Sequence, residues 1–203
     1  MVDEYASIMQ NDVWDVVPRH AGKSVITSRW LYKVKYVVDG SIKKYKARFL
    51  VRWFTQIEGI DSSDTFAAID RYNYICSMIS IAAEMGWNIH KMDVKTAFLH
   101  GVIGEDIYLE HPLGFEAHGK ESHVCHLKKA LYGLKQASRA WYSSIDAYLQ
   151  QIGFMKSDAD PNLYYIVVKG EFLILVLYVD DFFITRVVSL IDATRGTWLQ
   201  NLI

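Results

Sequence analysis

The stretch FLILVLYVDDFFITR, residues 172–186, holds two adjacent aspartates, Asp180 and Asp181, between blocks of apolar and β-branched residues. Its composition predicts two strands joined by a turn at the Asp-Asp pair. Two like charges about 4 Å apart repel by roughly 4 kcal/mol at an effective dielectric near 20. Such a pair therefore needs a neighbouring counter-charge, a carboxyl that keeps its proton, or a bound cation. The plain alternative is a polar hairpin tip facing water.

Working outward, WNIHKMDV (87–94) reads as a strand that ends at Asp93. If it neighbours the hairpin, three carboxylates converge. Mg²⁺ prefers hard oxygen donors and is usually held by one or two carboxylates plus substrate phosphates. Two such ions about 3.5–4 Å apart can clamp the attacking and leaving oxygens of a phosphoryl transfer.

NLYYIVV (162–168) and EFLILVLYV (171–179) read as strands joined at Lys169-Gly170, with DFFIT (181–185) as the strand after the Asp-Asp turn. RYNYICSMISIAAEMG (71–86) and ASRAWYSSIDAYLQQIG (137–153) read as helices closed by Gly86 and Gly153. MVDEYASIMQ (1–10) reads as a short helix, and EDIYLEHP (105–112) reads as a short strand. The three prolines, Pro18, Pro112 and Pro161, fall in expected loops. Residues 25–38 and 41–54 read as two strands about an Asp39-Gly40 turn, with Lys44, Lys46 and Arg48 on one face. The expected class is α+β, with a sheet covered by helices on one face.

The chain of 203 residues is 51% hydrophobic, which supports a globular core. Its apolar run before Asp180 is too short to span a bilayer, and its acidic N-terminus is no secretory signal. Cys76 and Cys125 show no disulfide spacing, so ordinary thiols in a reducing compartment are expected. The net charge of −1 conceals a strong polarity: residues 19–52 contain ten Lys or Arg and one acid, Asp39. That segment suits a polyanion, against the alternative of a solvated basic hairpin. A second basic patch, Lys128, Lys129, Lys135 and Arg139, has no acid within it.

NDVWDVV (11–17), SRWLYKVKY and DGSIKKYKAR (28–48), FTQIEGIDSSDTF (54–66), KMDVKTAFLHG (91–101), EDIYLEHPLGF (105–115), VCHLKKALYGLKQASRAWY (124–142) and YVDDFFIT (178–185) together resemble the reverse transcriptase of copia-type LTR retrotransposons. The resemblance implies an α+β right-hand polymerase fold: an antiparallel palm sheet backed by helices, a fingers β-hairpin and no thumb. Residues 1–86 would form the N-terminal segment and fingers, 87–185 the palm, and 186–203 a tail that does not match. By the same resemblance Asp93, Asp180 and Asp181 would be catalytic and would hold two Mg²⁺ ions. Lys46 and Arg48 would meet the triphosphate, Phe98 would exclude a ribose 2′-oxygen, and Gln136 would lie over the incoming nucleotide. The partners implied are an RNA or DNA template with primer and deoxynucleoside triphosphates, with no membrane; the sequence carries no sign of oligomeric state. The implied setting is intracellular, in a cytoplasmic virus-like particle or the nucleus.

On their own, Phe98 reads equally as a core residue and Gln136 as a helix-start residue. His118, His123, Cys125 and His126 lack the second ligand pair of a zinc site, so an ordinary strand is expected there. Trp141, Tyr142 and Tyr148 read as a packing face. The chain departs from the family pattern at Trp53 (for a glycine), Ala68 (for a proline), Cys76 (for an arginine) and the 186–203 tail. The expectation is a polymerase fragment with weak or no unaided synthesis. The alternatives are a catalytically dead relic that at most binds nucleic acid, and a plain nucleic-acid-binding module with an acidic turn.

Overall fold

A computed structural model describes residues 1–52, 54, 56, 72–115, 122–168 and 170–186. Trp53, Ala68, His118 and the 187–203 part of the tail lie outside the described residues, as does most of the 54–66 motif. In chain order the elements are α1 (Val2–Gln10), β1 (Trp14–Pro18), β2 (Val25–Ile26), β3 (Ser28–Tyr36), β4 (Ile42–Val51), α2 (Tyr72–Glu84), β5 (Asn88–Asp93), a 3-10 turn (Ala97–His100), β6 (Tyr108–Leu109), β7 (His123–Leu127), α3 (Ala137–Gln151), β8 (Met155–Lys156), β9 (Leu163–Val168), β10 (Glu171–Tyr178) and β11 (Asp181–Arg186). The class is mixed α+β. Among the described residues no helix is long and apolar enough to cross a membrane.

The chain divides into two compact units that alternate along the sequence: Met1–Phe66 with Phe98–Trp141, and Ala67–Ala97 with Tyr142–Ile203. The first holds a four-stranded sheet in the order β1-β7-β6-β2 and the two-stranded β3-β4 hairpin. Its core gathers Ile8, Trp14, Phe49, Leu99, Ile107, Leu109, Leu127 and Leu131, with Tyr5 and Trp30 packed against it. Pro18, expected in a loop, closes β1 opposite His123. Strand ends tolerate the missing N–H that a strand interior would not.

Two glycines fix this unit by close approach. A Cβ on Gly133, whose φ is +92°, would stand 2.2 Å from the Val51 carbonyl oxygen. The Val51 N–H donates to the Tyr132 carbonyl at 2.8 Å, pinning this loop against the end of β4. A Cβ on Gly101 would stand 2.7 Å from the Trp141 backbone nitrogen. Any side chain at either place would force two backbone segments apart.

The second unit is built on an antiparallel five-stranded sheet in the order β5-β11-β10-β9-β8. The expectation of one covered face is corrected here. On one face α2 packs Ile75 and Met78 against Val176, with Ile89, Ile174, Tyr178 and Phe183 around them. On the other face Tyr164, which pairs with Leu175, is fully buried and donates its hydroxyl hydrogen bond to Asp146 of α3 at 2.7 Å. Strands β10 and β11 are apolar on both faces for that reason, whereas a half-covered sheet would alternate.

Candidate active site

The hairpin β10–β11 carries the acidic pair, though the turn sits one residue earlier than the sequence suggests. Tyr178 pairs with Asp181, so the two-residue loop is Val179-Asp180 and Asp181 already belongs to β11. Two-residue hairpin loops demand positive φ at their first central position, where Gly or Asn is the comfortable residue. Val179 fills it at φ 55°, a conformation that a β-branched side chain resists. Strain of this kind costs about 1–3 kcal/mol and persists only where the surroundings enforce it.

Strand β5 runs antiparallel beside β11, and Asp93 is the register partner of Asp181. The next rung is closed by the Val94 N–H, which donates to the Asp180 carbonyl at 2.9 Å. Asp93 and Asp181 are therefore a non-hydrogen-bonded pair, the kind whose Cα atoms stand closest, at about 4.5 Å. Side chains of a directly opposed pair share a face, so these two carboxylates face the same side. The Asp180 carboxyl is raised above the usual carboxylate range, first by burial and then by the charges of Asp181 and Asp93.

Lys91, two residues before Asp93 and on the same face of β5, supplies a counter-charge. Its Nζ lies 2.6 Å from Asp181 Oδ2. Its register partner is Phe183, whose ring centroid is 5.9 Å from the ammonium. Hydrogen bonding to Asp181 holds the Lys91 pKa above its ordinary value. The repulsion at Asp180-Asp181 is thus relieved in two ways, by an ion pair at one carboxylate and by a stronger hold on the proton at the other.

The donor chemistry of Asp93, Asp180 and Asp181 suits a hard divalent cation, and two carboxylates on one face are a usual complement for Mg²⁺ completed by substrate phosphates. Among the described residues, no three His, Cys, Asp or Glu side chains are gathered into a ready ligand group. The Cys125–histidine segment is likewise an ordinary strand, β7. Burial pushes the Cys125 thiol up to about 12, and its Sγ lies 3.7 Å from His111 Nδ1.

The remaining expected site residues belong to the first unit. Lys46 is half-buried on β4 opposite Lys33, and Lys44 stands opposite Lys35, so one face of the hairpin is lined with cations. Among the described residues, no acid stands within ion-pair distance of Arg29, Lys33, Lys35, Lys43 or Lys44. Arg48 differs. It forms an ion pair and hydrogen bond with the buried Glu4 of α1, and its guanidinium lies 5.5 Å from the Tyr132 ring centroid. Phe98, on the 3-10 turn, meets the same Tyr132 edge-on at 4.8 Å and packs against the core. Gln136 is fully buried, and its Oε1 accepts from Gln56 Nε2 at 3.1 Å. Gln56 Oε1 in turn accepts from the Lys135 backbone N–H at 3.0 Å.

The structure thus places Asp93 opposite Asp181 on neighbouring strands of one unit, with Asp180 in the adjoining turn but without gathering the three side chains into one ligand group, and joins Arg48 and Phe98 through Tyr132 in the other. Sequence reasoning missed Lys91, Tyr132, Glu4 and Gln56. Lys91 was legible as a same-face neighbour of Asp93 at a spacing of two. Glu4 and Gln56 gave no signal, because their partners lie 44 and 80 residues away in the chain.

Comparison with known proteins identifies the family. Residues 11–194 match the family described as reverse transcriptase (RNA-dependent DNA polymerase). The chain is 40% identical over 185 residues to the retrovirus-related Pol polyprotein from transposon TNT 1-94 of Nicotiana tabacum, a match covering 91% of this chain and 14% of that protein. It is 37% identical over 186 residues to the Pol polyprotein from transposon RE1 of Arabidopsis thaliana, covering 91% and 13%. A third relative, the Pol polyprotein from transposon RE2 of the same plant, is 34% identical over 186 residues, covering 91% and 13%. The chain therefore spans about one-seventh of the length of these curated relatives.

Proposed function

The chain belongs to the reverse transcriptase family as it occurs in retrotransposon Pol polyproteins, and we propose from this that it carries out template-directed nucleotidyl transfer at the Asp93, Asp180 and Asp181 carboxylates. The five-stranded sheet is read as the palm and the β3–β4 hairpin as the fingers. The observation that carries the reading is the pairing of Asp93 with Asp181 across two strands, with Asp180 in the turn beside them. These three residues would hold two Mg²⁺ ions, which supply activation of the primer 3′-hydroxyl and stabilisation of the departing pyrophosphate.

The chain's own residues bind and orient. The cationic face of the hairpin, with Lys44 and Lys46, would meet the phosphates of template, primer or nucleotide. Arg48, pre-set by Glu4 and Tyr132, would present its fork to the triphosphate. Phe98 would fill the space beside the sugar 2′-position. Gln136 would reach a nucleotide only by releasing Gln56. The substrates proposed are an RNA or DNA template with primer and deoxynucleoside triphosphates.

Primer extension on an RNA template, with this chain, deoxynucleoside triphosphates and Mg²⁺, tests the proposal. Asp181→Asn should lower extension by more than about a hundredfold, beyond what loss of a ligand's hydrogen-bonding partner costs. Undiminished extension by Asp181→Asn would remove that residue from the chemistry. If the unsubstituted chain extends nothing yet binds primer–template in a salt-sensitive way, the degenerate relic becomes the reading.

A further inference from the structure

The ammonium of Lys91 sits where a cation is wanted. It contacts Asp181 Oδ2 at 2.6 Å, and its side chain is 58% exposed while that of Asp181 is 19% exposed. Lysine is a point charge on a flexible stem, unlike the planar fork of arginine. An exposed ammonium can return to water at little cost, because surface ion pairs are weak. Register places Lys91 on the face that carries both Asp93 and Asp181.

We propose that Lys91 is a positioning residue that serves as the resident counter-cation of the carboxylate pair and must leave Asp181 when a divalent cation arrives. This rests on the reading of Asp93 and Asp181 as metal ligands. Without a counter-charge, like charges directly opposed across two strands destabilise the sheet. With Lys91 in place, the metal-free strands keep their pairing. The same contact obstructs metal binding, since an ion coordinated to that oxygen and an ammonium beside it repel each other. Lys91 therefore trades divalent-ion affinity for stability of the metal-free site.

Mn²⁺ binding, followed by electron paramagnetic resonance without nucleic acid or nucleotide, tests this on the full chain. Lys91→Gln should tighten Mn²⁺ binding by about twofold to fivefold, the scale of an exposed ion pair. Lys91→Arg, which keeps the charge, should not tighten it, and Asp181→Asn should weaken it. Thermal unfolding gives the second readout: Lys91→Gln should melt below the unsubstituted chain without metal and gain more on adding Mn²⁺. If binding depends on Asp181 yet is unchanged in Lys91→Gln, the role of Lys91 is overturned and the metal site stands. If neither the unsubstituted chain nor Lys91→Gln binds Mn²⁺, the metal-site reading and this inference fall together.

Discussion

At Gly133 a methyl group has nowhere to go. Its φ of +92° disfavours any L side chain, and the Val51 carbonyl oxygen would lie 2.2 Å from the new carbon. Gly133→Ala should lower stability by about 3 kcal/mol, within the range for strain combined with a backbone clash, as measured by urea denaturation. The thiols give a second test. Cys76 is exposed, whereas Cys125 is buried and its thiol is pushed up to about 12. A thiol-alkylating reagent at neutral pH should therefore modify Cys76 quickly and Cys125 only on unfolding, read by mass spectrometry. At this scale the sequence exposed which residues mattered more often than why. The three aspartates stood out by type and setting. The need for glycine at 133 came from Val51, far away in the chain, and could not be read locally.

Among the elements, strong local patterns were legible: α2, α3, β5, the β3–β4 hairpin and the β9–β10–β11 meander fall close to where periodicity and turn residues put them. Strand β8, two residues long, and β1, whose partner β7 lies beyond residue 122, left too little local pattern. The second basic patch changed meaning in three dimensions. Lys128 meets Asp12 and Asp15, and Arg139 meets Glu105, acids that the sequence keeps elsewhere. Arg29, Lys33, Lys35, Lys43 and Lys44 of the hairpin have no such partners among the described residues, so they are where nucleic-acid affinity should be tested. Lys44→Gln should reduce the log–log salt slope of duplex binding by about one, measured by fluorescence anisotropy. Helix α3 carries a different dependence. Burial pushes the Asp146 carboxyl up, but hydrogen bonds from Tyr164, Gln150 and Lys156 outweigh it and leave the pKa below its ordinary value. The folded carboxylate is thus favoured: its stabilisation is present above the unfolded carboxylate range and is lost as pH falls through the lowered folded value. The stability gap between the unsubstituted chain and Asp146→Asn should hold steady near neutrality and shrink below about pH 4, followed by thermal melts.

For the whole molecule, a net charge of −1 says little about partners, because the cations of residues 19–52 and the acids of the remainder are separated in sequence. Motif order divides the chain into consecutive stretches, while strand pairing gathers it into two units that alternate along it. Pairing depends on contacts between distant segments, and no local pattern carries that information. The alternation has a consequence for any shortened gene product. A premature stop codon after residue 97 would not delete one unit and spare the other. It would strip β1 of β7 and β2 of β6, and leave β5 with no neighbour at all. Such a product should show no cooperative melt, because both halves of the architecture are completed only by the later half of the reading frame.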